Sequence, residues 1–222
     1  MRTRQYWQQI WALARKDLLL EFRTREAISV MLMYSLVIIV VFAFAFKPSR
    51  KTTLAIFPGL LWLGSFFAGF LGLVRTFQGE KENDCLLGLL LAPVGRTAIY
   101  FGKVLANFIL MVLVELLVLP LFFVFFNYHL RGPVLHLLAA VLLGIFGFVA
   151  VETFLLALLG NLRAGEALLP LLLFPLVVPV VIAAVQLTAG ILAGEPAGLS
   201  DWWKLLVAYD IIFLAVPLIF FD

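Results

Sequence analysis

Three carboxylates fall where water is scarce. Glu115, Glu152 and Asp210 each interrupt a long apolar run. A charge at bilayer depth is costly unless it pairs, takes up a proton or faces a bundle interior. Two readings stand: Glu115 and Glu152 line a path for a polar or amphiphilic cargo, or each acid hydrogen-bonds to neighbours or partner subunits and serves packing alone. Glu115 is expected near the centre of its span, Glu152 toward the cytoplasmic half, and Asp210 at a shallower level. A second acidic group, Glu80, Glu82 and Asp84, leads into Leu86, Leu87, Leu89, Leu90 and Leu91, and Pro93 ends the run. That pattern predicts a short helix with acids at its N-terminal end, where the helix dipole favours them. A partner outside the membrane can grip such a helix and tilt the spans on either side together.

Other reactive residue types lack the spacing that chemistry requires. Cys85 is the single cysteine, which excludes an internal disulfide and any CxxC or CxxCH site, and it is expected to act as a small apolar residue. Gly102-Lys103 does not complete a phosphate loop, because Thr97 stands where the leading glycine belongs and Val104 where Ser or Thr should follow. His129 and His136 flank a loop at the membrane surface, where lone histidines are solvated or hydrogen-bonded rather than haem ligands. No His/Cys/Asp/Glu cluster has metal-site spacing, and neither a nucleophile elbow nor HExxH occurs. No catalytic, metal or cofactor-binding residue is assigned, and the chain is not expected to hydrolyse ATP by itself.

The elements that position these residues are set by composition. Of 222 residues 64% are hydrophobic and 13% charged, with a mean hydropathy of +1.13; a soluble domain is roughly half apolar, so the excess points to lipid as solvent. The chain reads as an all-α membrane protein with one transmembrane domain over 1–222. Apolar segments at 28–46, 57–74, 104–126, 135–159, 167–189 and 203–221 each approach or exceed the ~20 residues that cross a bilayer as helix. Residues 1–27 are not a signal peptide, since the run that follows is of spanning length and ends in Lys47-Pro48-Ser49-Arg50. They predict an interfacial helix with Trp7, Trp11, Ala14, Leu18 and Phe22 on one face and Gln9, Lys16 and Arg23 opposite. The runner-up is an ordinary amphipathic helix on a soluble partner. Span 5 carries Pro170, Pro175 and Pro179, which predicts a bent helix packed inside the bundle.

Lysine and arginine placement orients the chain. With the N-terminus cytoplasmic, eleven basic residues lie inside and five outside. Both termini and the 75–103 loop are then cytoplasmic. No basic face remains for nucleic acid once the spans are set aside.

Three stretches together resemble one family. Phe57-Pro58-Gly59-Leu60-Leu61-Trp62 opens span 2 with a Pro-Gly-x-x-Trp start. The loop has Arg75-x-Phe77, acids from Glu80 to Asp84, and the Leu89…Pro93…Lys103 spacing. Phe174-Pro175-Leu176-Val177-Val178-Pro179 supplies Pro-x-x-x-Pro in span 5. These features are similar to CcmB, the haem exporter protein B family, permease subunits of the cytochrome c maturation ABC transporter; Asp84 departs from the glycine common at that place in the wider ABC-2-type permeases. The resemblance implies an ABC-2-type fold with a cytoplasmic coupling helix, here Glu80, Glu82, Asp84, Leu86, Leu89 and Pro93, in the bacterial inner membrane. It further implies a separate CcmA-like ATPase, CcmC-like and CcmD-like membrane subunits, and ATP-driven release of a haem-loaded CcmE-like chaperone, with haem as cargo of the complex rather than a bound cofactor. Competing readings are an ABC-2 exporter of lipid, glycan or drug, an ion-coupled secondary transporter using Glu115 and Glu152, and a structural assembly subunit.

Overall fold

Lipid offers a backbone no hydrogen-bond partner, so long apolar runs satisfy their own N–H and C=O groups by coiling into helix. The computed structural model describes residues 2–46, 50–82, 94–128, 132–159, 165–195 and 198–221, and among these every regular element is helical. The order is α1 (Arg2–Thr24), α2 (Glu26–Ala45), α3 (Arg50–Glu82), α4 (Arg96–Phe125), α5 (Val134–Leu159), α6 (Gly165–Ala193) and α7 (Ser200–Phe221). The six helices after α1 are each long and apolar enough to cross a membrane.

The two helix ends that border the 75–103 stretch differ from expectation for one reason. α3 continues to Glu82 instead of stopping near 74, and α4 starts at Arg96 instead of near 104. Charge ends a membrane span but does not end a helix; residues 75–82 and 96–103 contain no proline, so the ladder continues past the apolar part. Glu80 and Glu82 therefore belong to the closing turn of α3 and do not open a helix of their own. Residues 83–93, with Asp84, Cys85, Leu86, Leu89 and Pro93, lie outside the described residues, as does His129.

α5 is enclosed on all sides over residues 147–156, the mark of a helix at the centre of a bundle. It packs on α4, α6 and α7, while α2 and α3 form a pair that leans on α4 and α6. The residues that open span 2 explain themselves here. Trp62 is fully buried, its ring fills the space left by the missing side chain of Gly144 on α5, and its Nε1 donates to Thr188 Oγ1 of α6 at 2.9 Å. Phe57 sits among Phe122, Phe123, Phe126 and Tyr128, with ring centroids 5.4–5.8 Å away. Between them Trp62 and Phe57 tie α3 to α4, α5 and α6.

α6 does not occupy the interior along its whole length. It stays helical through all three prolines, and Pro175 and Pro179 face outward with Leu171, Phe174, Val178 and Ile182. The inward stripe is Leu173, Val177, Val180, Ala184 and Leu187. Two residues of the Phe174–Pro179 segment thus meet neighbours in different ways: Phe174 reaches Phe67 of α3 at 5.3 Å, and Leu176 accepts a 2.7 Å hydrogen bond from the Tyr209 hydroxyl of α7 at its carbonyl.

Arg25, with φ 59, breaks α1 from α2. α1 then runs along α4, burying Ile10, Ala14, Asp17 and Glu21, a stripe at i, i+4, i+7 and i+11. The helices cross at Gly102, where an added Cβ would come within 2.8 Å of Leu13 Cβ. Ala14 therefore faces protein, whereas Trp7 and Trp11 stay outside, so the expected face that grouped the three is split. Gly102-Lys103 is a helix-crossing site.

Candidate functional site

Two sets of polar side chains remain once the apolar packing is accounted for. The first is the trio of deep carboxylates. Glu115 extends from α4 toward α3, where the Ser65 hydroxyl lies 2.7 Å from Glu115 Oε2 and 2.8 Å from the Leu61 carbonyl. Glu152 has no exposed surface, and neither of its oxygens has a hydrogen-bond partner among the described residues. Asp210 is equally unpartnered, and it sits at the middle of α7 instead of at the shallower level expected. Its room comes from α5: a Cβ on Gly147 would stand 2.5 Å from Asp210 Oδ1. The three acids do not hydrogen-bond to one another. Near Glu152, Asn107 of α4 donates to Thr153 Oγ1 at 3.2 Å and the Tyr100 hydroxyl donates to the Ala150 carbonyl at 3.0 Å, so α4 and α5 are joined by neutral polar contacts around that acid. His136, at the opposite end of the molecule, meets Trp203 edge-on at 6.5 Å. No group of metal-ligating side chains occurs among the described residues.

The second set gathers at the end of the bundle that carries α1, beside the two helix termini that flank residues 83–93. Asp17 is buried between Lys16 (2.7 Å) and Lys103 of α4 (3.7 Å). One turn on, Glu21 Oε1 accepts the Ile28 amide at 2.9 Å, so a carboxylate of α1 caps the first turn of α2 across the Arg25 corner. Burial pushes the Glu21 carboxyl up; the amides of Ile28 and Ala27 oppose the shift and the neighbouring Glu26 adds to it. Glu26 receives Arg75 Nε of α3 at 3.1 Å, with both side chains about half exposed. An open cleft of about 120 Å³ between Leu20, Thr24, Thr76 and Gly79 separates these charges. The links run from α4 through α1 and α2 to α3. They close a belt between the two helices that enter and leave the 83–93 stretch.

Of the residues marked in the sequence, the deep acids are placed and Arg75 and Lys103 are joined through α1 and α2. Asp17, Glu21 and Glu26 were not singled out. The signal was present: Asp17 and Glu21 share the i, i+4 stripe of Ile10 and Ala14 on the helical wheel.

The fold defines a multi-pass helical membrane protein with an amphipathic leading helix locked to its third span. A family model described as CcmB protein matches residues 8–220, and the chain belongs to that family. Its relatives include Heme exporter protein B of Rhodobacter capsulatus, 35% identical over 177 residues, 79% of this chain and 80% of the relative. Heme exporter protein B of Pseudomonas aeruginosa is 30% identical over 210 residues, 93% and 90% of the two chains. That of Paracoccus denitrificans is 33% identical over 172 residues, covering 77% and 78%.

Proposed function

We propose that this chain is the non-catalytic permease subunit of an ABC transporter in cytochrome c biogenesis. In this reading a separate CcmA-like ATPase grips Glu80–Pro93 on the cytoplasmic side, and its cycle drives delivery of haem or release of a haem-loaded CcmE-like chaperone. CcmC-like and CcmD-like subunits complete the assembly, and haem is cargo. The observation that carries the reading is family membership across residues 8–220. The belt gives it a physical route. Force applied between α3 and α4 does not stay local, because Arg75–Glu26, Glu21–Ile28 and Asp17–Lys103 join both helices to α1 and α2. Coupled rigid-body tilting is the mode of transmission such a frame supports.

Charge reversal tests it. Glu82→Lys and Asp84→Lys are expected to leave the protein inserted in the membrane while abolishing its stimulation of the partner ATPase and the formation of holo-cytochrome c. Normal co-purification with the ATPase and normal turnover in both variants would refute the assignment of this stretch as the grip.

A further inference from the structure

We propose that the outward stripe of α1, made of Arg4, Trp7, Trp11, Arg15 and Phe22, is a binding surface selective for an acidic phospholipid leaflet. The case begins with where α1 hides its acids. Asp17 and Glu21 are both buried against the protein, and Lys16 is held on Asp17. The charged side chains that α1 exposes are then all positive: Arg4, Arg15, Lys16 and Arg23, followed by Arg25 at the corner. A helix with two acids and several bases in its sequence becomes a one-sign surface on folding.

Register sharpens the surface. At ~100° per residue, positions 4, 11, 15 and 22 fall within about 40° of one another, so cation and aromatic alternate along one line: Arg4, Trp11, Arg15, Phe22. Trp7 and Trp11 are 68% and 57% exposed, and their rings suit the headgroup layer, with an apolar body and a polar N–H. The guanidinium forks beside them match phosphate oxygens in a bidentate way that a lysine cannot. α1 also adjoins the first residue of α2, the first spanning helix, which sets the stripe at the bilayer boundary. Charge complementarity then selects a negatively charged leaflet over a zwitterionic one, by roughly five-fold per cation near the surface.

The experiment reconstitutes the full-length chain in vesicles of one fixed mixture of phosphatidylcholine and phosphatidylglycerol. Only the brominated, fluorescence-quenching lipid is exchanged between the two classes at equal mole fraction. Brominated phosphatidylglycerol is expected to quench tryptophan emission more strongly than brominated phosphatidylcholine. That excess should vanish in Trp7→Phe/Trp11→Phe and in Arg4→Gln/Arg15→Gln, shrink at high salt, and persist in Arg23→Gln, which lies off the stripe. Equal quenching by the two lipids in the unaltered chain, as a helix docked on an acidic protein would give, overturns the proposal. So does an excess that survives Trp7→Phe/Trp11→Phe, or one that Arg23→Gln removes as completely as the stripe variant.

Discussion

Glu21 does two jobs with one carboxylate. It caps α2 and at the same time is held away from water, and the second effect dominates, so its proton is bound more tightly in the folded chain than in the unfolded one. The sign follows from linkage: between the ordinary glutamate value near 4.5 and the raised folded value, the native state holds more protons, so stability falls as pH rises. The melting temperature of the detergent-solubilised protein minus that of Glu21→Gln should therefore decrease from acidic pH toward neutrality. A flat or rising difference would show that the cap outweighs the burial. Lys16, Asp17, Lys103, Glu26 and Arg75 stay in both proteins, so the subtraction isolates Glu21. The deep acids were readable from sequence because a charged residue inside an apolar run is conspicuous before any geometry is known. Asp17 and Glu21 were not, because charge is ordinary in an amphipathic helix, and what decides their orientation is α4, far along the chain.

Among the helices, α1 depends almost wholly on its junction with α4. Gly102 permits the crossing, so Gly102→Leu should push Leu13 away and detach α1, while the α5–α6–α7 core is unchanged. Limited proteolysis is the measure: cleavage within α1 should rise at least several-fold without loss of the folded core, and unchanged protection would mean that α1 is held elsewhere. Forcing a side chain into one such packed site costs about 1–3 kcal/mol, and the strain falls on the peripheral helix, not on the α5–α6–α7 core. Helix existence could be read from run length and composition alone. Helix ends could not, since the charged residues within 75–82 and at Arg96 and Lys103 break the apolar runs without breaking the helix. Nor could the outward turn of Pro175 and Pro179, because three prolines suggest interior packing until the neighbours of α6 are known.

Among the described residues six helices are long and apolar enough to cross a membrane; six crossings are expected to return the C-terminus to the side that holds α1. With lysine and arginine concentrated toward the α1 end, that side is expected to be the cytoplasm. A green fluorescent protein fused after Asp222 should then fluoresce, and a C-terminal alkaline phosphatase should be inactive; the opposite pattern would invert the proposed sidedness and remove Glu80–Pro93 from reach of a cytoplasmic ATPase. The apolar outer faces of α2, α6 and α7 need no protein cover in this arrangement, since hydrocarbon solvates them as well as another helix would.

The α1–α4 junction also orders events during synthesis. Ile10, Ala14, Asp17 and Glu21 leave the ribosome well before the surface that buries them, which starts at Arg96. At about 5–20 residues per second, the roughly 86 residues between Asp17 and Lys103 take several seconds or more to make. Throughout that interval the inward face of α1 lacks the helix that covers it. α1 cannot take its native place until the third spanning helix has been made.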